Sequence, residues 1–499
     1  MKQNSTSLFF LILASIACQA FAQTEQIGYS ETIAYRSKIY RTSQTFMFPR
    51  PIYHTIGSIS GRVMHFISRK PCGWGTSIRA VPIYQRSEPE RGLPAYWLLS
   101  CKDKIVVAGD DSAQKLTRDV RAEWLDIRNT QKAVDHTVDG TFTVCPRERI
   151  GGVTIAINQD LKSWFDWKWL NAWWLDISIP IVSDERSLMP QSSDARIRNA
   201  LNRIDLEYAR FDTVAHSVVG AGEVRATVGR TLLDEKGVLI SYQTGFATPG
   251  EERLEDPDYL FKPRTGSNGA WSILNTLIIQ LPLGYCCDQS AFQLCAAIEH
   301  RFLSSTHQRR TLDLRDKQWS RYMLVRRKGE EQTIPLANVS TFSVEVKPHS
   351  FVNIAGTLCF HHVDAWSFEA GFEFWAHDSE QVKLRDNCCD NKSKPRIEFY
   401  GIAGSTVDCT ASQSTIAELA ADDTDSEGNK IFVPLHESDF DPMSASGRGG
   451  IGTRLNFALF ADRTEDYGTL VGLGGYYEFP HTNTTLKNWG VWALLGYTW

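Results

Sequence analysis

The stretch NWGVWALLGYTW, residues 488–499, decides the fold. Successive side chains of a strand point to opposite faces, so Trp489, Val491, Ala493, Leu495, Tyr497 and Trp499 share one face. Asn488, Gly490, Trp492, Leu494, Gly496 and Thr498 share the other. The first face is apolar along its length with rings at both ends. That suits a strand whose outer surface meets hydrocarbon and whose ends meet polar interfaces.

The same period recurs upstream. Val471, Leu473, Gly475, Tyr477 and Phe479 alternate with Gly472, Gly474, Tyr476 and Glu478, and residues 480–486 supply a turn, which predicts a hairpin with the last strand. Ile451, Thr453, Leu455, Phe457 and Leu459 oppose Arg454, Asn456 and Ala458. Trp366, Phe368, Ala370, Phe372 and Phe374 oppose Ser367, Glu369, Gly371 and Glu373, while Phe292, Leu294, Ala296 and Ile298 oppose Gln293, Cys295, Ala297 and Glu299. Polar groups thus collect on the face away from the apolar one, as a wall between lipid and a wet interior requires. Weaker alternations cover residues 54–66, 149–158, 173–182, 222–231, 236–246, 270–281, 318–326, 338–347, 351–363 and 395–403. About fifteen segments qualify; since single-chain barrels favour even counts, the expectation is an all-β, closed antiparallel sheet of about 14 strands, within roughly 12 to 16.

The chain carries 15 Trp, 16 Tyr and 25 Phe. Beyond its N-terminus it has no apolar run of the roughly 18 residues that mark a spanning helix, which excludes a helical membrane protein. The net charge of −5 offers nothing to nucleic acid. At the N-terminus, Lys2, an apolar run from Leu8 to Ala17 and then Ala20-Phe21-Ala22 follow the order of a secretory signal peptide over residues 1–22. Residues 23–499 are then the mature barrel, exported through the Sec pathway. Lipid attachment at Cys18 is disfavoured because Ser15 stands where Leu is usual.

The signal peptide and the Trp489–Trp499 strand resemble those of porin-like outer-membrane proteins of Gram-negative bacteria. The weaker alternations extend the likeness over much of the chain. The resemblance implies a bacterial outer-membrane β-barrel in fold and location; the role expected of such a barrel is a porin-like channel, or a structural envelope protein, that allows passive diffusion of small polar solutes. It also implies that Trp489, Val491, Leu495, Tyr497 and Trp499 form the signal read by the barrel-assembly machinery. Lipid, lipopolysaccharide, a host surface and a second copy of the chain complete the implied partners.

The chain departs from ordinary porins in its eleven cysteines. Without Cys18 their number is even, and export places them where disulfides persist, so structural disulfides in loops are expected. Cys286-Cys287 and Cys388-Cys389 lack the spacing of a zinc knuckle. Two linkers, near 184–217 and 404–447, read as long external loops; in the first, Ile197, Leu201, Ile204 and Tyr208 recur at helical spacing. Between 161 and 174, Trp164, Trp167, Trp169, Trp173 and Trp174 form an interfacial or plug-contacting cluster.

The densest charge lies from Arg301 to Lys328, with Arg309, Arg310, Arg315, Arg321, Arg326 and Arg327 among Asp313 and Asp316. Charged rings in a pore set selectivity. The expected pore-lining residues are therefore Arg315, Arg321, Glu369, Glu373 and Arg454, with the arginines favouring anions or polar solutes; a solvated external loop is the alternative for the segment. Asp423-Thr424-Asp425-Ser426-Glu427-Gly428 opens like a calcium loop but has Pro434 where its bidentate Glu belongs. Adjacent His361 and His362 would point to opposite faces of a strand. No metal, no cofactor and no enzymatic activity are expected, since no nucleophile elbow or zincin motif occurs. The rival fold is an exported, disulfide-rich β-sandwich that binds a glycan or host partner.

Overall fold

A computed structural model describes residues 43–48 and 75–499, less 91, 129–132, 166, 251–255, 288–289, 363–365, 386–396, 404–407, 412–414, 418–431 and 464–467. The leader, the 54–66 alternation, Cys388-Cys389 and the acidic run at 423–428 lie outside the described residues.

Twelve antiparallel strands close on themselves: β1 Thr76–Glu88, β2 Arg147–Asp160, β3 Trp173–Ser187, β4 Arg225–Glu235, β5 Val238–Ala247, β6 Ser272–Cys287, β7 Ser290–Leu303, β8 Ser350–His362, β9 Trp366–His377, β10 Gly450–Arg463, β11 Gly468–Pro480 and β12 Lys487–Thr498. Each pairs with its neighbours in chain order, and β12 returns to β1 with Tyr497 opposite Ile78. Closure is what lets a sheet cross hydrocarbon, because no backbone group is left without a partner at an edge. A sandwich does not form. An extra strand, His216–Ala221, prolongs the line of β4 along the upper part of β3. The break between them falls beside Pro180, which has no N–H to offer; the Gly222 N–H donates to its carbonyl at 2.9 Å.

The strand count is twelve, not fourteen. The segments at 318–326 and 338–347 and the described part of 395–403 contribute Leu324–Arg327, Thr341–Lys347 and Tyr400–Ala403 to small sheets outside the barrel. In exchange, the barrel includes β1, whose alternation is obscured by Val81 on the inner face and Pro82 on the outer.

Along each strand the outer set is apolar and exposed: Ile157, Ile181, Phe302, Phe372, Phe457, Leu473 and Leu495 are 42 to 65 % accessible. The inner set is buried. On the inner face, Trp174, Trp375, Phe460, Tyr476 and Trp492 each sit directly opposite a glycine of the next strand, respectively Gly229, Gly452, Gly472, Gly490 and Gly474. A Cβ on Gly474 would stand 2.3 Å from the Trp492 ring, so the glycine is what lets the ring lie flat on the wall.

The two ends differ. At one, connections are tight: Lys236 and Gly237, with φ of 52° and 82°, make the two-residue loop between β4 and β5. This end also holds the start of β1 and Trp499, and the exposed rings of Trp164, Trp167 and Trp169. At the other end the described residues of 89–146, 188–215, 222–224, 248–271, 304–349 and 378–449 fold together as a cap. Its core draws Tyr96, Trp97 and Phe142 from the first insertion, Phe211 from the second, Phe261 from the third, Trp319 and Tyr322 from the fourth and Phe440 from the fifth. Phe142 meets Phe211 edge-on at 5.0 Å, Trp319 meets Tyr322 at 5.1 Å, and the Trp319 indole N–H donates to the Trp97 carbonyl at 2.6 Å. The helical spacing near 197–208 yields only one short helix, α1, Ala195–Ala200; Ile197 and Leu201 enter the core while Ile204 is exposed.

Candidate functional site

The interior wall carries charge in opposed pairs. Arg454 on β10 donates to Glu478 on β11 from Nη2 at 2.7 Å and from Nε at 3.1 Å, and approaches Glu373 on β9 at 3.5 Å. The Trp375 indole donates to the other Glu478 oxygen at 3.0 Å. Arg186 on β3 lies 2.8 Å from Glu148 and 2.9 Å from Asp184. Arg79 pairs with Asp176, Arg225 with Glu299, and Arg301 with Glu223, which the break above β4 turns inward. In a low-dielectric interior such charges persist only when paired, and alternation puts both partners on one face.

Above this wall lies a buried strap, Ser43–Phe48. Its backbone is held by the cap: the Gln44 N–H donates to Tyr96 O at 2.9 Å and the Thr45 N–H to Ser444 O at 3.1 Å. The Tyr96 hydroxyl donates to Phe46 O at 2.6 Å, and the Thr45 hydroxyl to Thr311 O at 2.8 Å. The Arg310 guanidinium lies over the Phe46 ring at 3.5 Å while it is paired to Glu380 at 2.6 Å. Phe46 and Phe48 pack against Leu303, Phe351 and Trp375 at the cap ends of barrel strands. Two cavities flank the strap. One faces the wall charges Glu148, Arg454 and Glu478; the other faces Tyr259, Arg264 and Arg310. Met47, Arg186 and Phe261 line both, so the strap divides barrel interior from cap.

Burial pushes the Tyr96 hydroxyl up to about 12, and that of Tyr322 likewise, because neither phenolate could be hydrated. On the cap surface the Arg196 guanidinium holds Asp194 below the usual carboxylate range. Asp135 is held down first by the Thr137 hydroxyl and then by Arg196.

Glu369, Glu373 and Arg454 stand on the inner face of β9 and β10. Arg315 and Arg321 are elsewhere. Arg315 is on the cap surface, where its Nε donates to Ser438 O at 2.6 Å, and Arg321 is sealed in the cap core with Asp313 at 2.5 Å. Of the basic segment only Arg301 reaches the barrel wall. Trp489, Val491, Leu495 and Tyr497 face outward on β12. Among the described cysteines no disulfide is formed; Cys101, Cys145, Cys295 and Cys359 are thiols. The strap escaped sequence reasoning, although the run Phe46-Met47-Phe48 is a signal that could have marked it. Asp110, Glu123 and His136 bring oxygen and nitrogen ligands within 4.8 Å of one another on the cap. Arg118 and Arg121 already neutralise those carboxylates, which disfavours a cation.

A closed barrel with an apolar outer belt and a polar, ion-paired interior is a transmembrane β-barrel of the bacterial outer-membrane class. No helix among the described residues is long and apolar enough to cross a membrane. No protein-family model matches the chain, and no curated protein matches it in sequence. Solved structures similar to it include an outer-membrane channel from Pseudomonas putida F1 (9% identity, TM-score 0.38, 85% of this chain and 95% of that one). The transport unit of the autotransporter AIDA-I from Escherichia coli superposes with TM-score 0.34 at 7% identity over 89% of this chain and 98% of its own. A FadL homologue from Pseudomonas aeruginosa gives 0.29 at 8% identity over 85% and 89%. Similarities this low carry no argument about activity; the class stands on the barrel itself.

Proposed function

We propose that the protein is an outer-membrane channel for small polar solutes, held closed here by its cap and strap. The observation that carries this reading is the charged interior wall. Guanidinium and carboxylate groups stand on it among aromatic rings such as Trp174, Phe460 and Trp492, so it offers hydrogen bonds and ion pairs to a polar solute. Arg454 and Arg186 each face two carboxylates, so the wall carries more acid than base and favours cations over anions. The cap end faces outward and the tight-turn end faces the periplasm, with lipid and lipopolysaccharide at the belt and the barrel-assembly machinery reading the last strand. The cap has its own aromatic core and suits a second role in host-surface contact, which removal of surface cap residues would test by cell binding.

Planar-bilayer recording tests the channel. Wild-type protein should show rare openings with a preference for cations, and Phe46→Ala should open far more often. Absence of conductance in both proteins would sink the proposal.

A further inference from the structure

Cys295 on β7 and Cys359 on β8 face the barrel interior, and their sulfurs are 3.6 Å apart. They are diagonal neighbours: Cys295 lies opposite Thr357, and Cys359 lies opposite Gln293. Both are buried, at 9 % and 2 % exposure. Contact at this distance leaves only about 1.5 Å to the ~2.05 Å of a bond; because diagonal positions lie further apart than directly opposed ones, closing it also draws the two strands locally together.

We propose that Cys295 and Cys359 are joined by a disulfide in the mature protein, made during export before the barrel wall closes. Bond formation removes two protons and two electrons from the thiols. The acceptor is the disulfide of an oxidised thiol–disulfide oxidoreductase in the exported compartment, which first forms a mixed disulfide with one cysteine and leaves as a dithiol. Timing follows from burial. Once the wall has closed neither sulfur is open to a protein oxidant, so the bond forms while β7 and β8 are still accessible. The bridge ties β7 to β8 beneath the insertion at 304–349, which supplies Arg310 and Thr311 to the strap. A pair of permanently reduced thiols, packing as small apolar groups, is the competing outcome.

Protein purified from membranes without reductant, denatured in the presence of N-ethylmaleimide and digested, gives the answer by mass spectrometry. The expected result is a linked Cys295–Cys359 peptide pair, two hydrogens lighter than the separate thiol peptides. In folded protein, dithiothreitol should leave the bond intact, and heating with reductant should release it. In Cys295→Ser, Cys359 should become alkylated. Alkylation of both cysteines in wild type, or a bridge from either to any other cysteine, overturns the proposal. The mapping needs no variant to fold and no conductance, so its outcome is independent of the channel reading.

Discussion

Truncating Phe46 to alanine tests whether the strap is a separable closure. The ring is 5 % exposed, with Arg310 stacked at 3.5 Å and Leu303, Phe351 and Trp375 around it. Removing a buried phenylalanine ring costs about 3–5 kcal/mol, within which a desolvated cation–π contact accounts for ~2 kcal/mol. The hydrogen bonds of the Gln44 and Thr45 amides and of the Tyr96 hydroxyl do not use the ring and survive, so the lower figure applies. At about 1.4 kcal/mol per decade, a loss of ~3 kcal/mol raises the undocked fraction of the strap roughly a hundredfold. Hydrogen exchange reads this directly, since the Gln44 and Thr45 amides donate to Tyr96 O and Ser444 O in the cap. Both should exchange about a hundred times faster in Phe46→Ala, while amides of β10 and β11 keep their rates. Unchanged exchange at 44 and 45 would refute the assignment of the ring as the strap's anchor; equal acceleration in the barrel would refute its separability.

Other outcomes follow from the wall and the cap. Arg454→Ala leaves Glu373 and Glu478 buried without their cation and should cost ~3–5 kcal/mol, seen as a lower temperature for loss of folded gel mobility. Gly474→Ala forces a Cβ to 2.3 Å from the Trp492 ring and should destabilise by ~1–3 kcal/mol through overpacking; coupling Gly474→Ala with Trp492→Leu should recover part of that loss. Because the Tyr96 pKa is raised to about 12 from 10, its contribution is complete below pH 10 and is lost as pH rises toward 12. Tyr96→Phe should therefore abolish a base-induced rise in strap exchange over that window. Asp135 and Asp194 are depressed below 3.8, so their contribution is present above about pH 4 and is lost as pH falls through the depressed values. Acid should loosen α1 before the barrel, and Asp194→Asn should remove that difference.

The barrel was legible where one face meets lipid and the other meets water. Residues 489–499 satisfy both conditions, and the burial of alternate residues in β9 to β12 follows the sequence pattern position by position. The strand at 76–88 was hidden because Val81 adds an apolar residue to the inner face and Pro82 reads as a breaker, although a proline can enter a strand where its missing N–H has no acceptor to meet. The extra candidates at 338–347 and 395–403 alternate for a different reason. They pack one face on the cap core, which gives the same period as a lipid face. Arg315 and Arg321 were misplaced by the same ambiguity, since charge density does not say which hydrophobic mass a segment serves. Only the tertiary pairing with Asp313 separates a cap arginine from a wall arginine.

The relative strength of the two closures indicates which one opens. Arg454 is locked by partners on both adjacent strands, and the pairs Arg79–Asp176, Arg225–Glu299 and Arg301–Glu223 reach past intervening strands; breaking one leaves a buried charge alone at a cost of ~3–5 kcal/mol, and opening by deforming the wall means breaking several at once. The strap is held by a few hydrogen bonds, each worth ~1 kcal/mol net, and by the packing of Phe46, Met47 and Phe48. Arg310, which carries the Phe46 ring, keeps Glu380 as its partner when the strap departs, so undocking leaves no charge alone. Met47 and Phe261 border both cavities, so displacing the strap joins the space beneath the cap to the space above Arg454 and Glu478 without disturbing a wall pair. A channel of this construction opens at its mouth, with a rigid wall beneath.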